Sequence, residues 1–565
     1  MRKFKYILPV AIALASASCN KATFDINSNP NLPTSLPISK ILPTVEKNLG
    51  SALAISSGIS QNLEPTIHRI TTREAPNGYN IQPTDAYIAA MWNTMYVSVL
   101  NNDEIIISSG TAGGNLRYVG IAKVIKAYAL SQLVDVFGDV PFSEANKLKT
   151  PIINPKFDSG AAIYPQLLTL LDDAIANLNG AAGTLVPGAD DVIYGGVASK
   201  WIKAANTLKL KLYTQERKVK NVSTEVNALI TANNLITQTS ESFLLPYGKS
   251  SAPDDRNPGF ADYYATQRGE NVSPWFYEIM KGYNPNIFTN NADPRIPYYI
   301  FNQIKLGQVA PNDANQTEYR DSSFTSLYFG STGVNNGFAQ QNTQSLLGIY
   351  PVGGRYDDGL GKGSGINQTS GTGAAPYRFI TYADRLYLEA ELINTGVVTG
   401  DARAKLLAAI NESFKQVDYV ITTYVKPSDA NPPQTVPALV GRPAVTTYIT
   451  KVMAEYDANP SRQLQIIMTQ KWISSFGSAV DAYTDYRRTG FPILFNPSDP
   501  TMAPGGKVQP PINGDPVNPG AQKAVPVQLL KPFPLSLYWP QGELETNSSA
   551  PPQKEPSTYK VFWMP

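Results

Sequence analysis

Few side chains in this sequence have the types and spacing that catalysis requires. The 565 residues include one histidine, His68, and one cysteine, Cys19. A single histidine excludes metal sites built from histidine clusters, and it leaves His68 as the only possible base for a serine–histidine–aspartate enzyme. A single cysteine permits neither an internal disulfide nor a cysteine-rich zinc site. We therefore expect no metal, no cofactor and no catalytic residue, and we interpret His68 as a structural or surface histidine.

Adjacent carboxylates are the other candidates for catalysis. They occur as Asp172-Asp173, Asp254-Asp255 and Asp357-Asp358. Glycoside hydrolysis needs two carboxyl groups that face each other across a bond, roughly 5–9.5 Å apart. Neighbours in sequence usually point apart, so these pairs do not predict a glycosidase. Residues 254–257 (DDRN) could offer oxygens to Ca²⁺, but the spacing of a calcium-binding loop is absent.

Aromatic side chains offer binding chemistry instead. The sequence contains 31 Tyr, 20 Phe and 6 Trp, together with 45 Pro and 41 Gly. An exposed Trp or Tyr presents a flat apolar face with a polar rim, which suits stacking on a sugar ring or on a peptide side chain. We predict that ligand is bound by aromatic residues of the predicted loops, namely Tyr79, Trp275, Tyr283, Tyr319, Tyr328 and Tyr356.

The first residues have the pattern of a targeting signal. Residues 1–5 are positively charged, residues 7–15 are mostly apolar, and three small residues precede Cys19. An apolar run this short is typical of a signal peptide and cannot span a bilayer. Small residues before the only cysteine predict lipidation of Cys19, and several acyl chains there would hold the protein at a membrane. The alternative is an ordinary secretory signal with a chance cysteine.

Composition limits the partners. The 47 Lys and Arg residues against 45 Asp and Glu residues give a formal net charge of +2 at pH 7, which creates no field to attract nucleic acid. After the signal, no stretch approaches the ~18 consecutive apolar residues of a membrane helix. We therefore expect a chain that is anchored at a membrane without spanning it and that binds no nucleic acid.

Helical periodicity covers two parts of the chain. Within Leu116–Phe137, apolar residues recur at helical spacing, and Gly138 and Pro141 follow as stop signals. The other predicted helices are 84–107, 161–178, 197–217, 222–235, 379–394, 401–419, 445–456 and 461–476. Helix pairs joined by short links favour a mainly α fold of tetratricopeptide-like pairs, an α-solenoid, with few short strands.

The periodicity stops between these two parts. Residues 246–375 are rich in Gly, Pro, Asn, Asp and Tyr, and they are too many for a simple connection. Their aromatic content favours a large irregular loop subdomain over disorder. The predicted organisation is a signal peptide (1–18), a lipidated tether (19–33) and a single domain (34–565) with a helical scaffold (about 34–245 and 376–492), a ligand-side insert (about 246–375) and a Pro/Gly-rich C-terminal segment (493–565).

Several stretches, taken in order, resemble one known family. They are residues 118–123 (YVGIAK), 134–145 (VDVFGDVPFSEA), 200–210 (KWIKAANTLKL), 293–299 (DPRIPYY), 382–391 (YADRLYLEAE), 470–473 (QKWI), 485–492 (DYRRTGFP) and 560–563 (KVFW). After a lipoprotein signal, this ordered set is similar to the SusD/RagB family of outer-membrane lipoproteins of Bacteroidota, and in particular to its SusD-like nutrient-binding branch. The resemblance covers essentially the whole chain after the signal.

The resemblance implies both a fold and a function. Members of the family have a mostly helical fold of tetratricopeptide-like pairs with long loops. They lie at the cell surface over a SusC-like TonB-dependent transporter, capture a glycan or in some members a peptide, and deliver it to that transporter without catalysis. The resemblance thus implies a lipid-anchored outer-membrane protein, exposed at the cell surface, that binds a nutrient oligosaccharide. Its motifs belong to the scaffold and assign no ligand-binding residue.

Three alternatives stay open at this point. The ligand could be a peptide, because the balanced charge indicates neither an acidic nor a basic substrate. An α-helical glycoside hydrolase would create new reducing ends from a polysaccharide, but the shortage of histidine and the lack of a spaced acid pair disfavour it. A purely structural surface protein would leave nutrient uptake unchanged when the loop aromatics are removed.

Overall fold

The computed structural model describes residues 36–72, 78–265, 268–284, 287–288, 290–308, 318–330, 340–362, 365–496 and 531–565. The predicted signal peptide, the predicted tether and Cys19 lie outside the described residues.

The N-terminal part of the described chain is helical. Its helices are α1 (Ile38–Leu53), α2 (Ser60–Thr66), α3 (Ala86–Asn93), α4 (Asn101–Ala112), α5 (Leu116–Phe137), α6 (Gly160–Asn179), α7 (Ala198–Glu216) and α8 (Ser223–Ala232). A π-helical segment, Thr94–Leu100, joins α3 to α4 without a break. Helix α3 begins where it does because the Asp85 carboxylate accepts hydrogen bonds from the first free backbone N–H groups, those of Tyr87 and Ile88.

Helices α5, α6 and α7 pack side by side, as expected for tetratricopeptide-like pairs. A Cβ on Gly120 would lie 2.6 Å from Leu178 Cγ, so the glycine allows α5 and α6 to approach closely. At the opposite end of α5, Val134 lies against Gly160, which makes the two helices antiparallel. Gly138, at φ +78°, ends α5 in a backbone conformation that other residues rarely adopt.

The remaining helices follow in the middle and the C-terminal part of the chain. They are α9 (Pro274–Lys281), α10 (Ile296–Tyr299), α11 (Gln340–Thr343), α12 (Ile349–Val352), α13 (Tyr382–Asn394), α14 (Ala402–Val420), α15 (Pro443–Ala458), α16 (Gln463–Ser474), α17 (Ala479–Thr489) and α18 (Gln541–Thr546). Helices α13 and α14 form another close pair, and α16 packs on α13.

The described strands are short and form two-stranded antiparallel sheets. They are β1 (Ile70–Thr72), β2 (Val140–Pro141), β3 (Phe157–Asp158), β4 (Phe243–Leu245), β5 (Glu270–Val272), β6 (Ile300–Phe301), β7 (Glu318–Asp321), β8 (Phe324–Leu327), β9 (Leu346–Leu347) and β10 (Tyr377–Ile380). The pairs are β1–β5, β2–β3, β4–β10, β6–β9 and β7–β8. The prediction of a mainly α fold with few short strands is confirmed.

One predicted helix start is wrong, and the error has a local cause. Phe379 and Ile380 belong to strand β10, and α13 begins only after Thr381, whose hydroxyl and the Asp384 carboxylate cap each other's backbone N–H groups. The helix predicted at 461–476 begins with a 3₁₀ turn, Pro460–Arg462, and continues as α16 to Ser474. Helices α1, α2, α9, α10, α11, α12, α17 and α18 were not predicted.

Two buried arginines, through their ion pairs and hydrogen bonds, join parts of the chain that are far apart in sequence. Arg69 donates to Glu64 at 2.7 and 2.8 Å, and its other N–H groups donate to carbonyl oxygens of Trp472 and Ser478. Arg488 pairs in the same manner with Glu391 and Asp485. Because a buried charge is costly without a partner, these pairs bind α2, α13, α16 and α17 to one another in a defined arrangement.

Candidate ligand-binding site

Helix α9 is the element on which the candidate site is built. Its first turn is capped by Ser273, whose hydroxyl accepts from the Trp275 N–H, and Pro274 occupies the first helical position. Its end is set by Gly282 at φ +70°, where a Cβ would lie 2.5 Å from the backbone nitrogen of Asn291. Since the helix stops there, Tyr283 follows directly at the surface.

Five of the six predicted site residues lie in one region around α9. We call this region the aromatic cluster, and its members are His68, Tyr79, Trp275, Tyr277, Tyr283, Tyr319, Phe324, Tyr328, Phe329 and Phe495. Tyr277 stacks on Phe324 with ring centroids 3.8 Å apart, and Tyr319 lies 5.6 Å from Tyr328. Trp275 is linked to His68 through Phe495, at centroid distances of 5.8 and 6.0 Å.

The expectation that all of these rings are exposed is wrong for three of them. Trp275, Tyr319 and Tyr328 retain only 1, 6 and 2 % of their accessible surface. Trp275 lies on α9 and Tyr319 on β7, so neither residue belongs to a loop. Trp275 Nε1 donates to the Ile493 carbonyl at 3.2 Å, and the Tyr319 hydroxyl donates to Glu278 at 2.8 Å. These three residues therefore support the site from inside.

Tyr283 is the exposed member of the cluster, with half of its surface accessible. The Lys281 ammonium lies 5.5 Å from its ring centroid and 5.7 Å from that of Tyr277. Partial burial and the nearby Asp321 carboxylate raise the pKa of Tyr283 to about 12, so its hydroxyl stays protonated at neutral pH. Asp321 also accepts the Tyr277 hydroxyl at 2.7 Å.

This arrangement has the chemistry of a binding surface. Tyr283 offers an aromatic face, Lys281 offers hydrogen-bond donors, and Asp321 offers acceptors beside the same ring. Asp321 ends β7, and the turn to β8 passes through Ser322 at φ +57°, so the hairpin fixes the position of the carboxylate. The sequence analysis missed Lys281 and Asp321, although Lys281 stands only two residues from Tyr283.

His68 and Tyr79 form the inner end of the aromatic cluster. Both residues have φ +59°, a left-handed conformation that is uncommon outside glycine, and His68 Nε2 lies 2.6 Å from the Tyr79 hydroxyl. The His68 ring packs 4.0 Å from Phe329, centroid to centroid, and Tyr79 packs on Phe533. Backbone strain of this kind persists where the surroundings enforce it, and it is concentrated at functional sites.

The burial of His68 predicts a specific pH dependence of stability. Burial lowers the pKa of His68 from 6.5 to about 3, so the unfolded chain takes up this proton at a higher pH than the folded chain does. His68 therefore costs the folded state nothing above pH 6.5. As the pH falls from 6.5 towards 3, protonation of the unfolded chain lowers the folding equilibrium constant by up to roughly tenfold per pH unit. In urea denaturation between pH 7 and 4, we expect His68→Gln to lose stability less steeply than the unmodified protein. Parallel pH profiles would contradict this prediction.

Tyr356 lies apart from the aromatic cluster. Its ring packs edge-on against Tyr298 with centroids 4.9 Å apart, and its backbone N–H donates to Gln434 Oε1 at 3.1 Å. The residue is half-buried on a loop that leads away from α12. The structure therefore does not bring it together with the other five predicted residues.

Two kinds of feature are absent from the described part of the chain. Among the described residues, no group of three or more His, Cys, Asp or Glu side chains is arranged so that it could hold a metal ion. Within the same residues, no helix combines the length and the apolar character that crossing a membrane requires.

Comparisons with known proteins give both a family and a fold. Residues 30–510 match a family named SusD-like and described as "Starch-binding associating with outer membrane". No curated protein matches the chain. Among solved structures, a SusD/RagB family protein from Bacteroides thetaiotaomicron is 21% identical, with a TM-score of 0.64 over 94% of this chain and 99% of that one.

Two further solved structures with the same fold are described by a ligand. A chitin-binding protein is 20% identical and has a TM-score of 0.62, with 90% of this chain and 94% of that chain covered. A chitin-binding SusD homologue from Flavobacterium johnsoniae is 21% identical and has a TM-score of 0.59, with the same two shares covered. At these identities, the likeness establishes the fold that the chains share.

Proposed function

Because the chain belongs to the SusD-like family, we propose that it is a non-catalytic outer-membrane lipoprotein that binds a nutrient oligosaccharide through Tyr283 and its neighbours. The observation that carries this proposal is the half-exposed Tyr283 ring between Lys281 and Asp321, supported by a buried aromatic cluster. A sugar ring has an apolar face and a rim of hydroxyl groups. Tyr283 fits the face, and the two charged groups fit the hydroxyls.

The family description and two of the structural relatives support glycan over peptide as the ligand. The family is described as starch-binding, and two relatives are described as chitin-binding. The hydrogen bonds within the site support binding without catalysis, because they already occupy its carboxylates. Asp321 accepts the Tyr277 hydroxyl, and Glu278 accepts the Tyr319 hydroxyl.

Calorimetric titration tests the proposal directly. The panel contains starch-type, chitin-type and other neutral oligosaccharides, together with short peptides, and the mixtures are then assayed for new reducing ends. We expect at least one oligosaccharide to bind and to be recovered intact. Binding confined to peptides, or the appearance of new reducing ends, would overturn the glycan-binding proposal.

Anchoring at Cys19 and delivery to a SusC-like TonB-dependent transporter complete the proposal. The pattern of the first 19 residues supports the lipid anchor, and the family description supports association with the outer membrane. Lipid chains gain about 0.8 kcal/mol for each buried CH₂ group, so several chains on one cysteine hold a protein at the membrane.

Replacement of the lipidated residue is expected to release the protein. In the native host, Cys19→Ser should move most of the protein from the membrane fraction to the soluble fraction, and the unmodified protein should carry a mass increase from acyl chains on Cys19. Thr23→Ser is the control, because it changes a residue beyond the cysteine and keeps both Cys19 and the small residues before it. Equal membrane association of the Cys19→Ser protein would refute the anchor.

A further inference from the structure

A second exposed tyrosine, Tyr264, lies outside the aromatic cluster. It follows the 3₁₀ segment Pro258–Tyr263, and 41 % of its surface is accessible. Tyr264 and Tyr283 are the two aromatic residues with a large exposed surface in the part of the chain that the structure describes. Whereas Tyr283 lies beside α9 and the β7–β8 hairpin, Tyr264 lies beside the loop that contains Asp254 and Arg256.

We propose that Tyr264, Asp254 and Arg256 form a second, separate stacking subsite for a neutral, hydroxyl-rich sugar unit. The inference rests on the proposed glycan-binding function and adds a site to it. It stands on the geometry of these three side chains, which hold an exposed ring in a fixed position.

The Arg256 guanidinium fixes the ring from one side. It lies 4.7 Å from the Tyr264 ring centroid and 5.3 Å from that of Phe260, and the Arg256 side chain itself is almost fully buried. Arg256 NH1 donates to the Gln368 carbonyl at 3.1 Å, while Nε and NH2 donate to the two oxygens of Asp254 at 2.9 and 2.6 Å. The guanidinium therefore has little freedom to move, and the ring that rests on it is held with it.

The Tyr264 hydroxyl is fixed as well. It donates to Asp254 Oδ2 at 3.1 Å, so the rotation of the side chain is restricted at both its ring and its hydroxyl. A ring that is already fixed loses little conformational entropy when a ligand stacks on it, so the restraint favours binding. The two Asp254 oxygens already accept hydrogen bonds from the Arg256 backbone N–H, Nε and NH2 and from the Tyr264 hydroxyl, so this carboxylate fixes the ring, and the exposed ring face provides the contact with the sugar.

The charges around this ring determine the class of ligand. Asp254 is paired with Arg256, and Lys249, five residues before Asp254 in the sequence, is paired with Asp429. Because the Arg256 guanidinium is already paired with Asp254, it offers no free charge to an acidic sugar, and we infer a neutral ligand for this ring. The pairing also argues against Ca²⁺, which sequence inspection had considered for residues 254–257, because the guanidinium occupies the carboxylate oxygens of Asp254.

Affinity electrophoresis on soluble starch and on glycol chitin tests the inference. A polymer can occupy both subsites, whereas a trisaccharide titrated by calorimetry reports the stronger site alone. We expect Tyr264→Ala to weaken polymer binding about fivefold or more, which is the loss found when an aromatic residue that anchors a ligand is truncated. Trisaccharide binding at Tyr283 should change less than twofold, and Tyr264→Phe, which keeps the ring, should retain most of the polymer binding.

The outcomes separate this inference from the proposed function. If Tyr264→Ala binds polymer as the unmodified protein does while Tyr283→Ala does not, the second subsite is refuted and the glycan-binding function stands. If the unmodified protein binds neither polymer nor trisaccharide, both proposals fail. Asp254→Asn provides a second test without truncating the ring, and we expect about threefold weaker polymer binding from it, since it weakens the hydrogen bonds that hold Arg256 and the Tyr264 ring in place.

Discussion

Replacement of Tyr283 by alanine is expected to weaken oligosaccharide binding by about tenfold or more and to leave the fold intact. Truncating an aromatic residue at the centre of a binding surface commonly costs more than 1 kcal/mol, and 1.4 kcal/mol corresponds to tenfold in affinity. Half of the Tyr283 side chain is exposed, so its removal creates no internal cavity. Calorimetric titration gives the affinity, and thermal denaturation checks that the midpoint is unchanged.

Two control variants separate the ring of Tyr283 from its hydroxyl and from the scaffold. Tyr283→Phe keeps the ring and loses only the interaction with Asp321, so most of the affinity should remain. Tyr356→Ala removes a tyrosine that lies against Tyr298, outside the aromatic cluster, and binding should persist. Unchanged affinity in Tyr283→Ala would mean that this ring does not contact the ligand.

The second large effect concerns stability and depends on Glu391. This fully buried carboxylate accepts from Arg488 and pairs with Arg217 at 2.7 Å. Burial opposes its ionisation, but the two guanidinium groups outweigh burial and lower the pKa of Glu391 to about 2. Glu391→Gln leaves the buried guanidinium groups without their main partner. Because an unpaired buried charge is costly, we expect the free energy of unfolding to fall by about 3–5 kcal/mol. Urea denaturation at pH 7 should show a much lower midpoint.

The pH profile adds a check on the sign of this effect. A carboxylate with a depressed pKa contributes stability above its ordinary pKa of 4.5, and this contribution is lost as the pH falls towards 2. The difference between the unmodified protein and Glu391→Gln should therefore shrink in acid. Asp457→Asn is the matched control, because it breaks an exposed pair with Arg403 and should leave the midpoint unchanged. Equal midpoints for the two variants would contradict the account.

Local signals in the sequence predicted much of the helical scaffold. Leu116–Phe137 was predicted with its observed bounds, because its apolar spacing is regular and a glycine ends it. Within the family motif at 485–492, Arg487 donates to the Leu535 carbonyl and Arg488 to the Glu391 carboxylate, so this motif belongs to the scaffold. The resemblance to the SusD/RagB family, drawn from ordered motifs, is confirmed by the match over residues 30–510.

The candidate site was harder to predict from the sequence, because the burial of its side chains depends on residues that lie far along the chain. Trp275 is enclosed by residues more than 200 positions further along the chain, at Ile493 and Phe495. His68 is covered by Phe329 in the same way. A pattern of aromatic residues in a region rich in glycine and proline indicates that rings gather there. It does not distinguish the ring that faces solvent from the rings that support it.

Hydrogen–deuterium exchange with and without bound oligosaccharide tests the central claim most directly. The account predicts slower exchange on binding in segments 274–284 and 318–330, which contain α9, Tyr283 and the β7–β8 hairpin, with the oligosaccharide recovered at its original mass. Protection that bypasses both segments, or recovery of a shortened oligosaccharide, would contradict it.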